Sequence, residues 1–284
     1  MTAERGIGAD DGRDRVRTLA VRGLQARVSV RSARGRLVAE PSLLLCNGIG
    51  ASLEVLQPLV DHLDPDRGVV RFDVPGVGGS QPPSLPYPVA ALASWVTALM
   101  GQLGQDRFDV LGLSWGGGLA QQLAVQSRRH VRRLVLVATG TGLLMVPAHP
   151  RVLGRMLTPR RHRDPEYAAS IAAEIYGGTM RTSPDRGADL LHAATRSGPR
   201  RGYYYQLAAM TGWSSLPFLR LVRQPTLVMG GDDDPIIPVA NPRLQARLIP
   251  AARLHVYRGG HLAILTEADT LAPVVESFLS EESP

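Results

Sequence analysis

The chain has 284 residues, of which 44% are hydrophobic and 20% charged, and this balance excludes a disordered or fibrous protein. Its length is enough for one large domain with an insertion, which buries a sizeable core. The net charge of +7 comes from arginine on the positive side, because the sequence contains no lysine. No helix-turn-helix, zinc or RNA-recognition pattern accompanies that charge, so we expect no nucleic-acid partner.

The first residues and the cysteine content bear on the cellular compartment. Residues 1–15 are rich in Asp, Gly and Arg and lack the apolar stretch of a secretory signal, so we predict a flexible N-terminal tail there. No run approaches the roughly 20 apolar residues that span a bilayer. Cys46 is the single cysteine, which excludes an intramolecular disulfide and fits a reducing compartment. We therefore expect a cytoplasmic protein without a transmembrane segment.

Short β-like runs alternate with helical patterns through the first half of the chain. Two opening strands are joined tightly near Arg22 and Gly23, which predicts an antiparallel hairpin. Residues 53–63 and 89–103 carry apolar residues at helical spacing and predict helices that pack on a sheet. The alternation is typical of a mostly parallel sheet with helices on both faces. The predicted strands are 16–21, 25–30, 43–46, 69–72, 108–113 and 134–138.

The alternation stops after Thr139. Residues 142–219 contain helical patterns, at 165–175 and 186–194, but no strand pattern, and they are too long for a simple connection. We predict a helical cap (lid) at 142–219, inserted into a core domain formed by residues 16–141 and 220–284. The alternation resumes with strands at 226–229 and 253–257 and helices at 241–248 and 267–279. The predicted fold class is therefore α/β, with a mostly parallel eight-stranded sheet flanked by helices.

A G-x-S-x-G motif at residues 112–116 is the strongest chemical signal in the sequence. A strand pattern precedes it and a helical pattern follows it, which is the order of a nucleophile elbow. Small residues around Ser114 allow such a turn to close, and the helix behind it places its positive end near developing negative charge. The alternative is a glycine-rich turn that merely contains a serine. We predict Ser114 as a catalytic nucleophile.

A serine hydroxyl is a weak nucleophile unless a base accepts its proton. His261 lies on a glycine loop between a predicted strand and the last helix, and we predict it as that base. The other histidines lie in a strand, in the cap, or in or just after helices: His62, His130, His149, His162, His192 and His255.

Three consecutive aspartates follow the predicted strand at residues 226–229, at the edge of the sheet where ligands gather in open α/β folds. One of them would orient the imidazole and stabilise its charged form. Asp234 fits a G-x-x-D-x-x-x-P pattern, and Asp233 remains the alternative. The chain order of nucleophile, acid and base then agrees with this type of elbow.

Acyl transfer also needs hydrogen-bond donors aimed at the oxyanion of the tetrahedral intermediate. We predict two backbone donors, the N–H of Trp115 and the N–H of Ile49 in the glycine-containing segment at residues 46–51. The alternative for that segment is an ordinary turn that leaves a strand. Another glycine-rich segment, at residues 73–80, lacks the Lys-Ser/Thr ending of a P-loop and is interpreted as a structural turn. No Cys or His spacing indicates a metal, and the chemistry needs no cofactor.

These motifs resemble the α/β-hydrolase superfamily and, more narrowly, the intracellular depolymerases of medium-chain-length poly(3-hydroxyalkanoate). The elbow, the aspartate loop and the segment at residues 73–80 specify only the superfamily. Asn47, where a histidine more often precedes this glycine, narrows the match together with the cap motifs at residues 145–147, 175–178 and 202–204. The similarity covers nearly the whole chain, from about Val16 to Leu279, and implies Ser114, Asp234 and His261 as the triad.

The resemblance implies ester hydrolysis through an acyl-enzyme on Ser114, with release of 3-hydroxyalkanoic acids or oligomers. The implied substrate is a hydrophobic polyester granule, with which a cytoplasmic enzyme would associate. One alternative is a soluble carboxylesterase or lipase-like hydrolase of small acyl esters. Another is a catalytically silent binding protein, which would have no need of an intact Ser, His and Asp.

The predicted cap leaves several interpretations open. Its apolar residues Leu143, Leu144, Met145 and Trp213 either line an acyl groove or form ordinary cap core. Residues 141–205 contain ten arginines against five acidic residues, which form a solvated face or attract an anionic surface. The sequence does not specify side-chain length preference, attack within or at the end of a polymer, or oligomeric state.

Overall fold

The computed structural model describes residues 14–33, 41–185, 189 and 198–281. In this part of the chain eight strands form one sheet, in the order β1-β2-β4-β3-β5-β6-β7-β8. Strands β1, β2 and β4 pair antiparallel in that order, and β3 to β8 pair parallel. The predicted α/β fold with a mostly parallel eight-stranded sheet is confirmed. The strands are β1 (Arg15–Val21), β2 (Leu24–Arg31), β3 (Leu43–Cys46), β4 (Val69–Phe72), β5 (Phe108–Leu113), β6 (Val131–Val137), β7 (Thr226–Gly231) and β8 (Ala252–Tyr257).

Helices connect the parallel strands and cover both faces of the sheet. They are α1 (Gln57–Asp61), α2 (Val89–Gln102), α3 (Trp115–Gln126), α4 (Pro150–Met156), α5 (Pro165–Tyr176), α6 (Arg200–Met210), α7 (Ala240–Leu248), α8 (Ala263–Thr266) and α9 (Ala268–Ser280). Short 3₁₀ helices occur at Leu53–Leu56, Pro159–His162, Gly178–Arg181 and Leu216–Leu221. Within the described ranges, no helix has the length and apolar character needed to cross a bilayer.

Consecutive residues of the central strands are buried on opposite faces of the sheet. Leu43 and Leu45 in β3 belong to an apolar cluster with α1, α8 and α9, whereas Leu44 between them packs in a second cluster with α2 and α3. Side chains alternate along a strand, so a strand with a helix layer on each side is apolar at every position. This explains why the central strands appear in the sequence as short continuous apolar runs.

Some element boundaries differ from the sequence predictions. Strand β6 begins at Val131 rather than at residue 134, because the charge of Arg132 is neutralised by the buried Asp109 on β5, at 2.9 Å from Nε. The predicted helix at residues 53–63 is a 3₁₀ turn followed by the short α1. The predicted helix at residues 186–194 lies outside the described residues except for residue 189. Of the predicted tail, Arg15 is the first residue of β1.

The chain between β6 and β7 contains α4, α5 and α6 and, in its described residues, no strand. The two ends of this stretch meet, because Gly142 and Ser214 form an isolated antiparallel bridge. The N–H of Leu143 also donates to the oxygen of Trp213 at 2.9 Å. We refer to residues 142–219 as the cap; that they form a separate domain stays a prediction.

Asp73 joins the turn after β4 to the turn after β3. Its carboxylate accepts hydrogen bonds from the N–H groups of Leu53 and Gly79, both at 2.7 Å, and from Nη1 of Arg27 at 3.1 Å. Burial raises the pKa of Asp73, and these three donors oppose that effect. The glycine-rich segment at residues 73–80 is therefore held by internal hydrogen bonds and tied to the segment that follows β3.

Candidate active site

Ser114 lies in a sharp turn between β5 and α3. Its backbone has φ 54° and ψ −118°, a left-handed conformation that costs a residue with a side chain of order 1–3 kcal/mol. Two hydrogen bonds hold the strained turn: the N–H of Ser114 donates to the oxygen of Val137 at 2.9 Å, and Oγ1 of Thr139 donates to the oxygen of Ser114 at 2.7 Å. The turn is thereby anchored to the end of β6, and the hydroxyl projects above the sheet.

The glycines of the G-x-S-x-G motif are required by close backbone contacts. A Cβ atom on Gly112 would collide with the backbone oxygen of Gly116. A Cβ atom on Gly116 would collide with the oxygen of Cys46 at the end of β3. Glycine lets the first turn of α3 approach the end of β3 in this way, so the motif reflects packing around Ser114 as well as chemistry.

His261 bridges Ser114 and Asp234. Its Nε2 lies 2.9 Å from Oγ of Ser114, and its Nδ1 lies 2.8 Å from Oδ2 of Asp234. Oδ1 of Asp234 accepts hydrogen bonds from the N–H groups of Ile236 and Ile237, both at 2.9 Å. A carboxylate in this position holds the proton on Nδ1 and leaves Nε2 able to accept the hydroxyl proton. The structure therefore brings together the three residues that the sequence predicts as nucleophile, base and acid.

The other two aspartates of the run face different partners. Asp233 forms a bidentate pair with Arg181 of the cap, with both N–O distances at 2.7 Å, and accepts the N–H of Gly178 at 2.7 Å. The Arg181 guanidinium lowers the pKa of Asp233. Oδ1 of Asp232 accepts the N–H of Gly259 at 3.0 Å. Of the three neighbours, Asp234 alone is hydrogen-bonded to His261, and Asp233 instead links the acid loop to the cap.

The C-terminal end of α5 contacts the base loop as well. The oxygen of Tyr176 accepts the N–H of His261 at 2.7 Å, and the two rings are nearly parallel, at 16°, with centroids 6.4 Å apart. Gly177 and Gly178 have positive φ, and a Cβ on Gly178 would collide with the N of Gly260. Tyr176 is not among the site residues predicted from the sequence; its signal in the sequence is the glycine pair that follows it.

The loop after β3 contains one backbone N–H group, that of Ile49, that is not hydrogen-bonded within the described residues. Ile49 lines a cavity together with Ser114. Its three neighbours are engaged: Gly48 donates to Oδ1 of Asn47 (2.8 Å), Gly50 to Oε1 of Gln206 (2.7 Å) and Ala51 to the oxygen of Gly48 (3.3 Å).

The N–H of Trp115, at the first residue of α3, also has no acceptor in the described part of the chain. An N–H at the start of a helix has no partner within the helix and lies at the positive end of the helix dipole. Trp115 and Ile49 are the two residues predicted as oxyanion donors. Ile49 lines one recess beside Ser114 and Trp115 lines another, so both residues lie next to the nucleophile; that their N–H groups converge on one oxyanion stays a prediction.

Ser114 lies between two recesses. The inner one is a cavity of about 40 Å³ that also contains His261, Ile49 and Arg161. The outer one, which we call the acyl groove after its predicted role, has a volume of about 400 Å³, within the size range of small-molecule sites. The acyl groove is lined mainly by apolar side chains, namely Trp115, Leu143, Met145, Leu153, Leu207, Met210, Trp213 and Ile237.

Three of the four residues predicted to line a groove do so in the structure. Leu143, Met145 and Trp213 line the acyl groove. Leu144 does not line the groove, and its side chain is 53% exposed. Leu207 and Met210 were not singled out from the sequence, although their spacing of three residues on α6 places them on one helix face. Within the described ranges, no cluster of His, Cys, Asp and Glu is suited to a metal ion.

Comparisons with known proteins identify the family of the chain. Residues 41–268 match the family described as alpha/beta hydrolase fold. The chain is 44% identical over 267 residues to a poly(3-hydroxyalkanoate) depolymerase of Ectopseudomonas oleovorans, covering 94% of this chain and 93% of that protein. It is 28% identical over 232 residues to a 2-hydroxy-6-oxo-2,4-heptadienoate hydrolase of Pseudomonas putida, covering 79% and 82% of the two chains.

Solved structures show the same fold. The enol-lactonase from Burkholderia xenovorans superimposes with a TM-score of 0.79 at 24% identity, covering 93% of this chain and 100% of that one. At that level of identity the likeness speaks for the fold alone. The resemblance seen in the sequence motifs is confirmed by the matched family and by the identity to the depolymerase. The chain is an ester hydrolase that belongs to the α/β-hydrolase family.

Proposed function

We propose that the enzyme hydrolyses the ester bonds of a medium-chain-length poly(3-hydroxyalkanoate) and releases 3-hydroxyalkanoic acids or oligomers. The observation that carries the proposal is the Ser114–His261–Asp234 hydrogen-bonded series at the end of an apolar groove. The substrate class is supported by the 44% identity to a poly(3-hydroxyalkanoate) depolymerase over nearly all of both chains.

In the first half of the reaction Ser114 becomes acylated. Nε2 of His261 accepts the proton of the Ser114 hydroxyl while Oγ attacks the ester carbonyl carbon, and Asp234 stabilises the imidazolium. The N–H groups of Ile49 and Trp115 donate to the oxyanion of the tetrahedral intermediate. When the intermediate collapses, the imidazolium gives its proton to the leaving alkoxide, and a shortened chain with a free hydroxyl departs.

In the second half water replaces the alcohol. His261 accepts a proton from a water molecule as that water attacks the acyl carbon on Ser114, and the same two N–H groups hold the second oxyanion. Collapse of this intermediate returns the proton to Oγ and releases a 3-hydroxy acid or an oligomer that ends in a carboxyl group. The enzyme is regenerated, and each ester bond consumes one water.

The acyl groove suits an alkyl side chain. The groove has a volume of about 400 Å³ and is lined by leucine, methionine and tryptophan side chains. An alkyl chain that enters it leaves water, and each CH₂ group that is buried contributes about 0.8 kcal/mol to the binding free energy. Three residues of this lining belong to α6 and the turn after it, namely Leu207, Met210 and Trp213. The cap therefore supplies much of the surface that would distinguish one alkyl chain from another.

The substrate class is tested with a suspension of the polymer. We expect the wild-type protein to clear a medium-chain-length poly(3-hydroxyalkanoate) suspension and to release titratable acid, and Ser114→Ala to do neither. Short- and long-chain soluble esters are assayed in parallel. Rapid turnover of small esters without clearing would overturn the depolymerase function and favour a soluble carboxylesterase.

An apolar surface surrounds the mouth of the acyl groove. Leu143 and Leu153 line the groove and are also exposed, and exposed apolar side chains continue from them along the loop and along α4. We call this surface the apolar rim; its residues are Leu143, Leu144, Val146, Leu153 and Leu157. Because the rim is continuous with the groove, a polymer surface that rests on the rim presents its chains to the opening of the groove. We propose that the rim rests on the polyester granule.

The rim is tested with residues that lie outside the groove. Leu144 and Leu157 are 53% and 62% exposed and do not line the groove. We expect Leu144→Ser with Leu157→Ser to weaken adsorption to polymer particles by on the order of 10-fold, from the lost apolar contact, and to slow clearing accordingly. The rate for a soluble ester should not change.

The matched control is Leu85→Ser with Leu254→Ser. These leucines are 75% and 41% exposed, and they lie on the loop before α2 and on β8. The control pair should adsorb to the particles as the wild type does. Equal adsorption of both double variants, measured by sedimentation of protein with the particles, would eliminate the rim as the granule contact.

A further inference from the structure

Gln206 on α6 contacts both segments that carry the free N–H groups. Its side chain is fully buried, and its Oε1 accepts the N–H of Gly50 at 2.7 Å. Its backbone oxygen accepts Nε1–H of the Trp115 indole at 2.8 Å. Gly50 follows Ile49 in the chain. Gln206 is therefore hydrogen-bonded to the neighbour of one proposed oxyanion donor, Ile49, and to the side chain of the other, Trp115.

The bond to Gly50 restrains the loop that presents the Ile49 N–H. The Ile49 N–H lies in the Gly48–Ile49 peptide plane. The plane after it is held where the Gly50 N–H donates to Gln206, and the plane before it is held where the Gly48 N–H donates to Oδ1 of Asn47. Gly50 has φ 73° and, as glycine, can adopt several other conformations at little cost. With both flanking planes held, the N–H of Ile49 has one direction; without the Gln206 acceptor, the following plane can turn.

Helix α6 is held firmly enough to serve as such a support. A Cβ atom on Gly202 would collide with the backbone oxygen of Gly76, and one on Gly50 would collide with the ring of Tyr203. The hydroxyl of Tyr203 in turn accepts a hydrogen bond from Nη1 of Arg161 at 2.9 Å. Gly202 and Tyr203 therefore pack closely against the two loops of the core, and this packing restricts movement of α6.

We infer that Gln206 is a positioning residue of the reaction, which aligns the N–H groups of Ile49 and Trp115 from the cap. The inference rests on the proposed function for the identity of the two donors. It gives the cap a second task, because the same helix that lines the acyl groove with Leu207 and Met210 also orders the groups that stabilise the oxyanion.

The first test compares variants of Gln206 on a soluble nitrophenyl ester, so that failure on polymer does not affect the readout. Gln206→Met keeps the length and loses the acceptor; we expect kcat to fall about 10- to 100-fold, which is less than the loss of a whole oxyanion donor, with KM within about threefold. Gln206→Glu retains an oxygen acceptor for Gly50 in either ionisation state and should recover most of kcat.

A matched control distinguishes positioning from lost stability. Gln224 is also buried and donates from Nε2 to the oxygen of Ala124 at 2.8 Å, outside the site. Gln224→Met should lower the thermal midpoint to a similar extent and leave kcat unchanged. Trp115→Phe removes the other bond to Gln206 and should also lower kcat, which provides a second test if Gln206→Met fails to fold.

The second test measures the oxyanion directly. A boronic acid forms a tetrahedral adduct with the nucleophilic serine, whereas the product acid does not, so affinity for the boronic acid should fall in Gln206→Met in proportion to kcat while affinity for the product acid is kept. A rise in KM with kcat unchanged, or a loss of kcat no greater than in Gln224→Met, would overturn the inference. Full activity of Ser114→Ala would instead overturn the proposed function, on which this inference rests.

Discussion

Ser114→Ala is expected to lower kcat for a soluble ester by about 10⁵- to 10⁶-fold, the loss seen when an activated serine is removed from a hydrolase. The reason is the position of the hydroxyl, 2.9 Å from Nε2 of His261, in the residue that lines the acyl groove beside the catalytic base. Residual hydrolysis would come from the oxyanion donors and from binding alone. Steady-state rates and the burst of alcohol released in the first turnover measure the effect.

The control for this prediction is Ser127→Ala. Ser127 is buried and lies at the other end of α3, where its Oγ is 2.7 Å from Oγ1 of Thr97. It should retain the burst and the wild-type rate within about twofold, as substitutions away from a site usually do. A Ser114→Ala protein that keeps a tenth of the wild-type rate would exclude Ser114 as the nucleophile.

Asp234→Asn is expected to lower kcat by about 10⁴-fold, as the same change does in other Ser-His-Asp enzymes. An asparagine at this position presents an amide N–H to the imidazole, which favours the tautomer with its proton on Nε2. That tautomer donates toward Ser114 and can no longer accept the hydroxyl proton. The rate is measured on a soluble ester, with thermal unfolding as a check that the fold is kept.

Asp233→Asn is the paired control, because the two aspartates are neighbours with different partners. Its bond to Arg181 is largely exposed, and such pairs contribute about 0–1 kcal/mol to stability. We expect a loss of less than about tenfold in kcat, through the contact of Asp233 with Gly178 of the cap. Equal losses in the two variants, or a larger loss in Asp233→Asn, would contradict the assignment of Asp234 as the acid.

Much of the fold could be predicted because its signals are local. The central strands are buried on both faces, so each appears as a short apolar run, as Leu43–Cys46 does. The start of β6 was missed for the opposite reason. Arg132 and Arg133 look like residues that precede a strand. Distant partners accommodate them within one: Arg132 pairs with the carboxylate of Asp109 on β5, and the guanidinium of Arg133 contacts Glu281 at the end of the described chain.

The elbow could also be predicted, because the glycines that the turn needs are adjacent to Ser114. The sequence supports the choice of Asp234 among the three neighbouring aspartates less strongly than it supports Ser114. Three aspartates in a row have the same local environment in the sequence, and the choice depends on which carboxylate faces Nδ1 of His261, 27 positions further along the chain. Leu144 shows the same limit, since the turn closed by the Met145 N–H and the Gly142 oxygen contains both Leu143 and Leu144, and only the first lines the groove.

The sequence by itself determined the α/β class and the residue types of an ester hydrolase. Strand periodicity, turn glycines and the motifs around Ser114, Asp234 and His261 each lie within a short segment, and the order of these segments along the chain is known from the sequence. Only the tertiary structure decided which groups meet. Gln206 reaches Gly50 across 156 positions of the chain, and Tyr176 supports His261 from the end of α5. Such contacts are made by packing of the cap on the sheet, and no short segment of sequence contains both partners.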